Sequence, residues 1–110
     1  MPEKTEFTIN KGEDFRDFLF RVLGGLTDKD SLQLFVILLE IIVTELKEPD
    51  YTLSLSIKPQ EIGIAITHSG RAIKESILNI IDDQVDHLRY QHKSRDFHVL
   101  KIRKKIKRKL

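Results

Sequence analysis

The sequence predicts an α+β protein, a two-layer α/β sandwich in which a mixed sheet of about five strands carries three helices on one face, as a single domain over residues 1–110. Three observations predict it. Residues 51–58 and 62–67 alternate apolar and polar side chains without a fault, the period of strands with one buried face. Residues 15–23, 32–46 and 73–81 repeat apolar side chains three and four apart, the period of helices with one buried stripe. A chain of 110 residues, 40% hydrophobic and 33% charged, has material for one core and not two.

Taken in order, Thr5 to Asn10 reads as a short edge strand with Phe7 and Ile9 on one side and Thr8 on the other. From Glu13 the period changes, with Phe15, Phe18, Leu19, Val22 and Leu23 on one stripe, and Gly24-Gly25 supplies the C-cap of a first helix. Thr27 and Asp30 resemble a capping box ahead of a second helix, whose apolar positions run from Leu32 to Leu46 and which Pro49 closes. Its β-branched content suits a strand, but about 17 residues is too long for one.

Tyr51, Leu53, Leu55 and Ile57 then alternate with Thr52, Ser54, Ser56 and Lys58, and Ile62, Ile64 and Ile66 with Gly63, Ala65 and Thr67. Lys58-Pro59-Gln60-Glu61 joins the two runs as an antiparallel hairpin. After Gly70, Ile73, Ile77, Ile80 and Ile81 mark a third helix over about residues 71–83, ending at Asp82-Asp83. Val85 to Lys93 and Phe97 to about Ile106 form a second hairpin around Ser94-Arg95-Asp96. The predicted order is β-α-α-β-β-α-β-β, and Thr52, Ser54, Ser56, Lys101 and Arg103 are expected on the wet face of the sheet.

Composition excludes several classes. With no cysteine, there are no disulfides, thiolate zinc sites, iron–sulfur clusters or cysteine nucleophiles. The N-terminal residues have neither a hydrophobic signal core nor an Arg-rich amphipathic pattern, and the longest apolar run, Leu32 to Val43, is too short to span a bilayer, so no membrane association and a cytoplasmic location are expected. The formal net charge of +2 conceals an asymmetry: residues 101–110, a basic strand end or tail, hold seven Lys or Arg and no acid, leaving 12 basic against 17 acidic residues elsewhere.

The strings FTINKGEDFRDFLFRVLGGL, LQLFVILLEIIVTEL and ILNIIDDQVDHLRYQHKSRDFHVLKIRKK, in that order, resemble the GHKL (Bergerat-type) ATPase domain of the bacterial anti-sigma-factor serine kinases over nearly the whole chain. That family holds ATP with a helix-borne Glu four residues before an Asn that ligates Mg²⁺, with an Asp-x-Gly-x-Gly turn at the adenine, and with a Gly-rich lid over the phosphates. By resemblance, Glu40 stands at the Glu position and Thr44 replaces the Asn; His68 replaces the Asp, Gly70 is kept, Ala72 replaces the second Gly, and the lid is missing. Each loss costs about 1–3 kcal/mol of binding, which together takes a micromolar site towards no useful affinity. The resemblance therefore implies a degenerate ATPase without cofactor or catalysis, a pseudokinase-like regulatory module. Its expected partner is a sigma factor or an anti-sigma antagonist, and homodimerisation is expected through the first strand and helices.

Two alternatives belong to other classes. One is a weakly active ATP-binding Ser/Thr kinase with Glu40 as base and Thr44 near Mg²⁺. The other is a nucleic-acid binder through the basic C-terminus, where Lys101, Arg103, Lys105 and Lys107 share one strand parity and form a stripe for anions or an acidic partner. Set against it are the acidic body, the absence of an aromatic stacking platform, and the plainer role of lysines in shielding an edge strand from aggregation. His68-Ser69 reads as a simple loop rather than part of a triad, and His87, His92 and His98 lie on strands with mixed facing, which argues against a metal site.

Overall fold

A computed structural model describes residues 5–8, 14–25, 27–46, 51–94 and 97–106. The elements are β1 (Thr5–Thr8), α1 (Phe15–Leu23), α2 (Lys29–Leu46), β2 (Tyr51–Lys58), β3 (Glu61–Ser69), α3 (Glu75–Asp82), β4 (His87–Ser94) and β5 (Phe97–Lys105). The strands lie in the order β1-β2-β3-β5-β4, and every neighbouring pair is antiparallel. The sheet is therefore not mixed. Hairpins join β2 to β3 and β4 to β5, and the chain crosses from β3 to the far edge through α3, so β5 returns to lie between β3 and β4.

Strand alternation decides the two layers. Leu53, Leu55, Ile57, Ile62, Ile64, Ile66, Leu100 and Ile102 are buried on one face, where they join Phe18, Leu19 and Leu23 of α1, Phe35, Leu38, Leu39 and Ile42 of α2 and Ile81 of α3 in one hydrophobic cluster. The opposite face carries Ser54, Ser56, Gly63, Ala65, Lys101 and Arg103. The buried stripe of α2 is Leu32, Phe35, Leu38, Leu39 and Ile42, most of its β-branched residues lie beside that stripe, and at 18 residues it has the length of a helix.

The boundaries differ from the sequence pattern at identifiable places. α3 begins at Glu75, not near residue 71, because Lys74 is extended (φ −64°, ψ 143°) and the Ile73 N–H is held by the Tyr90 hydroxyl at 2.9 Å. β4 begins at His87 rather than Val85, since the Val85 N–H closes a turn onto the Asp82 carbonyl. Ser94 belongs to β4 and pairs with Phe97, while Arg95 and Asp96, with Ile9 and Asn10 of the predicted first strand, lie outside the described residues.

The cap of α2 is Asp28, not Thr27. Asp28 Oδ2 accepts from the Ser31 N–H at 3.1 Å, and the Ser31 hydroxyl first, with that N–H and the Thr27 hydroxyl adding, holds its carboxyl below the usual carboxylate range; Thr27 is buried and donates its hydroxyl to Asp28 Oδ1. Asp28→Ala is expected to lower stability by about 1 kcal/mol in urea unfolding, and Thr27→Ser by less.

Candidate functional site

Two places on the molecule concentrate polar chemistry, one on each face of the sheet. On the helix-bearing face, the inward alternation of β3 continues one step past Ile66 to His68, and that of β5 one step before Leu100 to His98. His68 pairs across the strands with His98, and His98 with His92 of β4, so three imidazoles stand in a row across three neighbouring strands. Ring centroids are 5.0 Å apart for His68 and His98 and 4.8 Å for His92 and His98, with Tyr90 beside the row at 5.9 Å from His68. His68 and His98 are only 2% and 3% exposed.

Carbonyl partners assign the tautomers. His68 Nδ1 lies 3.2 Å from the Ser69 carbonyl, which only accepts, so Nδ1 carries the proton. His68 Nε2 then accepts from the Tyr90 hydroxyl at 3.0 Å, and that hydroxyl accepts from the Ile73 N–H. By the same reasoning His98 Nε2 donates to the Gly70 carbonyl at 2.9 Å and its Nδ1 accepts from His92 Nδ1 at 2.7 Å. Gly70 has φ +86°, the left-handed region that favours glycine, which turns its carbonyl onto His98. Burial pushes the His68 imidazole down from its ordinary value, with the neighbouring His98 and His92 adding to the effect and the Ser69 carbonyl opposing it. Burial likewise raises the Tyr90 phenol. Among the described residues no group of three His, Asp or Glu is arranged to hold a metal ion.

The residues singled out by resemblance fall as follows. His68 and Gly70 belong to this network, and His68 is a buried strand residue rather than part of an open loop. Glu40 lies on α2 with Oε1 2.8 Å from Arg16 Nε of α1, and its side chain is 43% exposed. Thr44 is exposed near the end of α2, one turn after Glu40. His98, His92 and Tyr90 were not selected from the sequence as a unit. Extending each strand's alternation by one position would have placed His68 and His98 on the inner face.

On the other face, the outward positions of β2 to β5 form a trough of about 380 Å³. Ser54, Ser56, Gly63 and Ala65 line it together with Lys58, Arg89, Lys101 and Arg103. Of the predicted basic stripe, Lys101 and Arg103 line the trough, Lys105 is exposed beyond it on the same parity, and Lys107 lies outside the described residues. Arg89 and Lys58 were missed because the pattern along one strand does not tell which strands become neighbours. The register does: Arg89 stands directly opposite Lys101.

Together the fold and these two sites define an α+β antiparallel sandwich with a histidine row on its helix side, buried at His68 and His98 and exposed at His92, and a basic open face. No protein-family model matches the chain, and no curated protein matches it significantly. Among the described residues no helix is long and apolar enough to cross a membrane.

Proposed function

We propose that this chain is a non-catalytic regulatory binding module of the anti-sigma kind, a GHKL-like sandwich whose nucleotide site is filled by its own side chains. The observation that carries the reading is His68. At the position where the resemblance calls for an adenine-binding Asp, a buried imidazole has both ring nitrogens engaged, by Tyr90 and by the Ser69 carbonyl. An adenine amino group entering there would have to displace those partners and leave buried polar atoms unsatisfied. The carboxylate of Glu40 supports the same reading, because Arg16 holds it in an ion pair rather than leaving it to polarise an attacking group.

Binding then rests on surface contact with a protein partner, a sigma factor or an anti-sigma antagonist, and on pairing with a second copy through β1 and the helices. Phe20 of α1 and Ile37 of α2, 56% and 48% exposed, offer the apolar contact that such an interface needs. Calorimetric titration of the full chain with ATP, with and without Mg²⁺, is expected to give no heat at millimolar nucleotide, and purification from the native host is expected to bring down a sigma factor or its antagonist. Micromolar, Mg²⁺-dependent binding lost in Glu40→Ala would instead put the serine kinase reading first.

A further inference from the structure

The open face of the sheet is basic in a way that shielding an edge does not explain. Lysines on an edge strand keep it from pairing with other chains, but β5 is not an edge: it is hydrogen-bonded to β3 on one side and β4 on the other. Lys101 and Arg103 nevertheless project from its outward face. The register sets Lys101 opposite Arg89 and Arg103 opposite His87, so a like-charged pair stands directly across two strands, an arrangement that costs stability. Glu61 is the acid lining the trough, and it reaches Arg103 at 3.6 Å. Cations gathered at this expense around a concave surface mark a place where an anion is to be bound.

From these observations the geometry points to the phosphodiester backbone of a nucleic acid as the occupant of this trough, an assignment independent of the function proposed above. Two features favour it over an acidic protein. Protein interfaces concentrate their affinity in buried aromatic or aliphatic anchors and are depleted of lysine, whereas here the aliphatic residues at the trough, Leu55, Ile64 and Ile102, are at most 2% exposed, and the outward positions are the small Ser54, Ser56, Gly63 and Ala65 among cations. Phosphates need no such anchor; they are met by Lys, Arg and Ser side chains. Cations at alternate residues along β5 repeat every ~6.7 Å, with Arg89 one strand away, so several phosphates are contacted at once. Without an aromatic stacking platform in the trough, binding is by backbone and independent of sequence.

Fluorescence anisotropy of the full chain with short labelled oligonucleotides, DNA and RNA, single-stranded and duplex, tests this. Three phosphate contacts from Arg89, Lys101 and Arg103 give a log–log salt slope of about −2.1 on single strands to about −2.7 on duplex, hence roughly 20- to 40-fold weaker binding between about 50 and 200 mM salt. The variant Arg89→Gln/Lys101→Gln/Arg103→Gln should lose most of that slope while melting as cooperatively as the parent, because the three side chains are exposed and their mutual repulsion is relieved. Ala65→Glu, which adds a carboxylate to the trough, should weaken binding with the cations intact, and Lys29→Gln on α2 should leave it unchanged. Three results overturn the proposal. One is no binding at the lower salt. Another is binding that survives the triple variant but disappears when residues 107–110 are removed, which assigns it to the chain end. The third is equal displacement of the oligonucleotide by polyglutamate, which makes the face a site for acidic protein.

Discussion

Phe35→Ala is expected to destabilise the fold by about 3–5 kcal/mol, the range for truncating a fully buried phenylalanine. Phe35 is 0% exposed on α2, within the cluster that also holds Phe18 of α1 and the inner faces of β2, β3 and β5. Its removal takes away the transfer free energy of a phenyl ring and leaves a cavity that a helix packed against a sheet closes only in part. A domain of this size has a total stability of about 5–15 kcal/mol, so between about a fifth and all of it is at stake. In urea unfolding the midpoint should fall sharply with the slope unchanged. Ile37→Ala, two residues along and 48% exposed, is the matched comparison, expected to stay within about 0.5 kcal/mol. If Ile37 proves the costlier of the two, α2 presents its other face to the core.

The contrast between Phe35 and Ile37 shows what was legible in the sequence. Period alone identifies the stripe of α1 and the inward positions of β2 and β3, because each is a local repeat that a single buried face imposes. α2 was harder, since Leu34, Ile37 and Ile41 break the stripe, and its length rather than its period gave the helix away. What no local pattern carries is the pairing of distant segments. The start of α3 is set by the Tyr90 hydroxyl from 17 residues away, and β5 falls in the interior of the sheet only because the chain crosses through α3 before making its second hairpin. Antiparallel pairing throughout, in place of a mixed sheet, is the same kind of fact. The sites divide along this line. Lys101 and Arg103 share a parity visible in one strand, while Arg89, Tyr90, His92 and His98 acquire their partners only once register is known.

Tyr90→Phe is expected to cost about 2–6 kcal/mol although it deletes a single oxygen. That hydroxyl accepts from the Ile73 N–H and donates to His68 Nε2, so its loss strands two buried groups, each at about 1–3 kcal/mol. Loss of the Ile73 contact also frees the segment ahead of α3, and amide exchange at Ile73 should accelerate with the global loss of stability. The same network makes the fold sensitive to acid. Burial holds the folded-state His68 below the ordinary imidazole value of about 6.5, so the unfolded chain takes up a proton that the folded chain refuses. Its contribution is therefore complete above about pH 6.5 and is lost as pH falls from there towards the depressed folded value. His68→Gln offers an amide oxygen to Tyr90 but no titrating nitrogen, and it should flatten the decline between about pH 7 and 5 while lowering stability at the upper end. Parent stability that does not change over that interval, or a decline as steep in His68→Gln as in the parent, would place the acid sensitivity outside the histidine row. A flattened decline would make His68 a group kept neutral by its surroundings, the burial and the two neighbouring imidazoles that push it down.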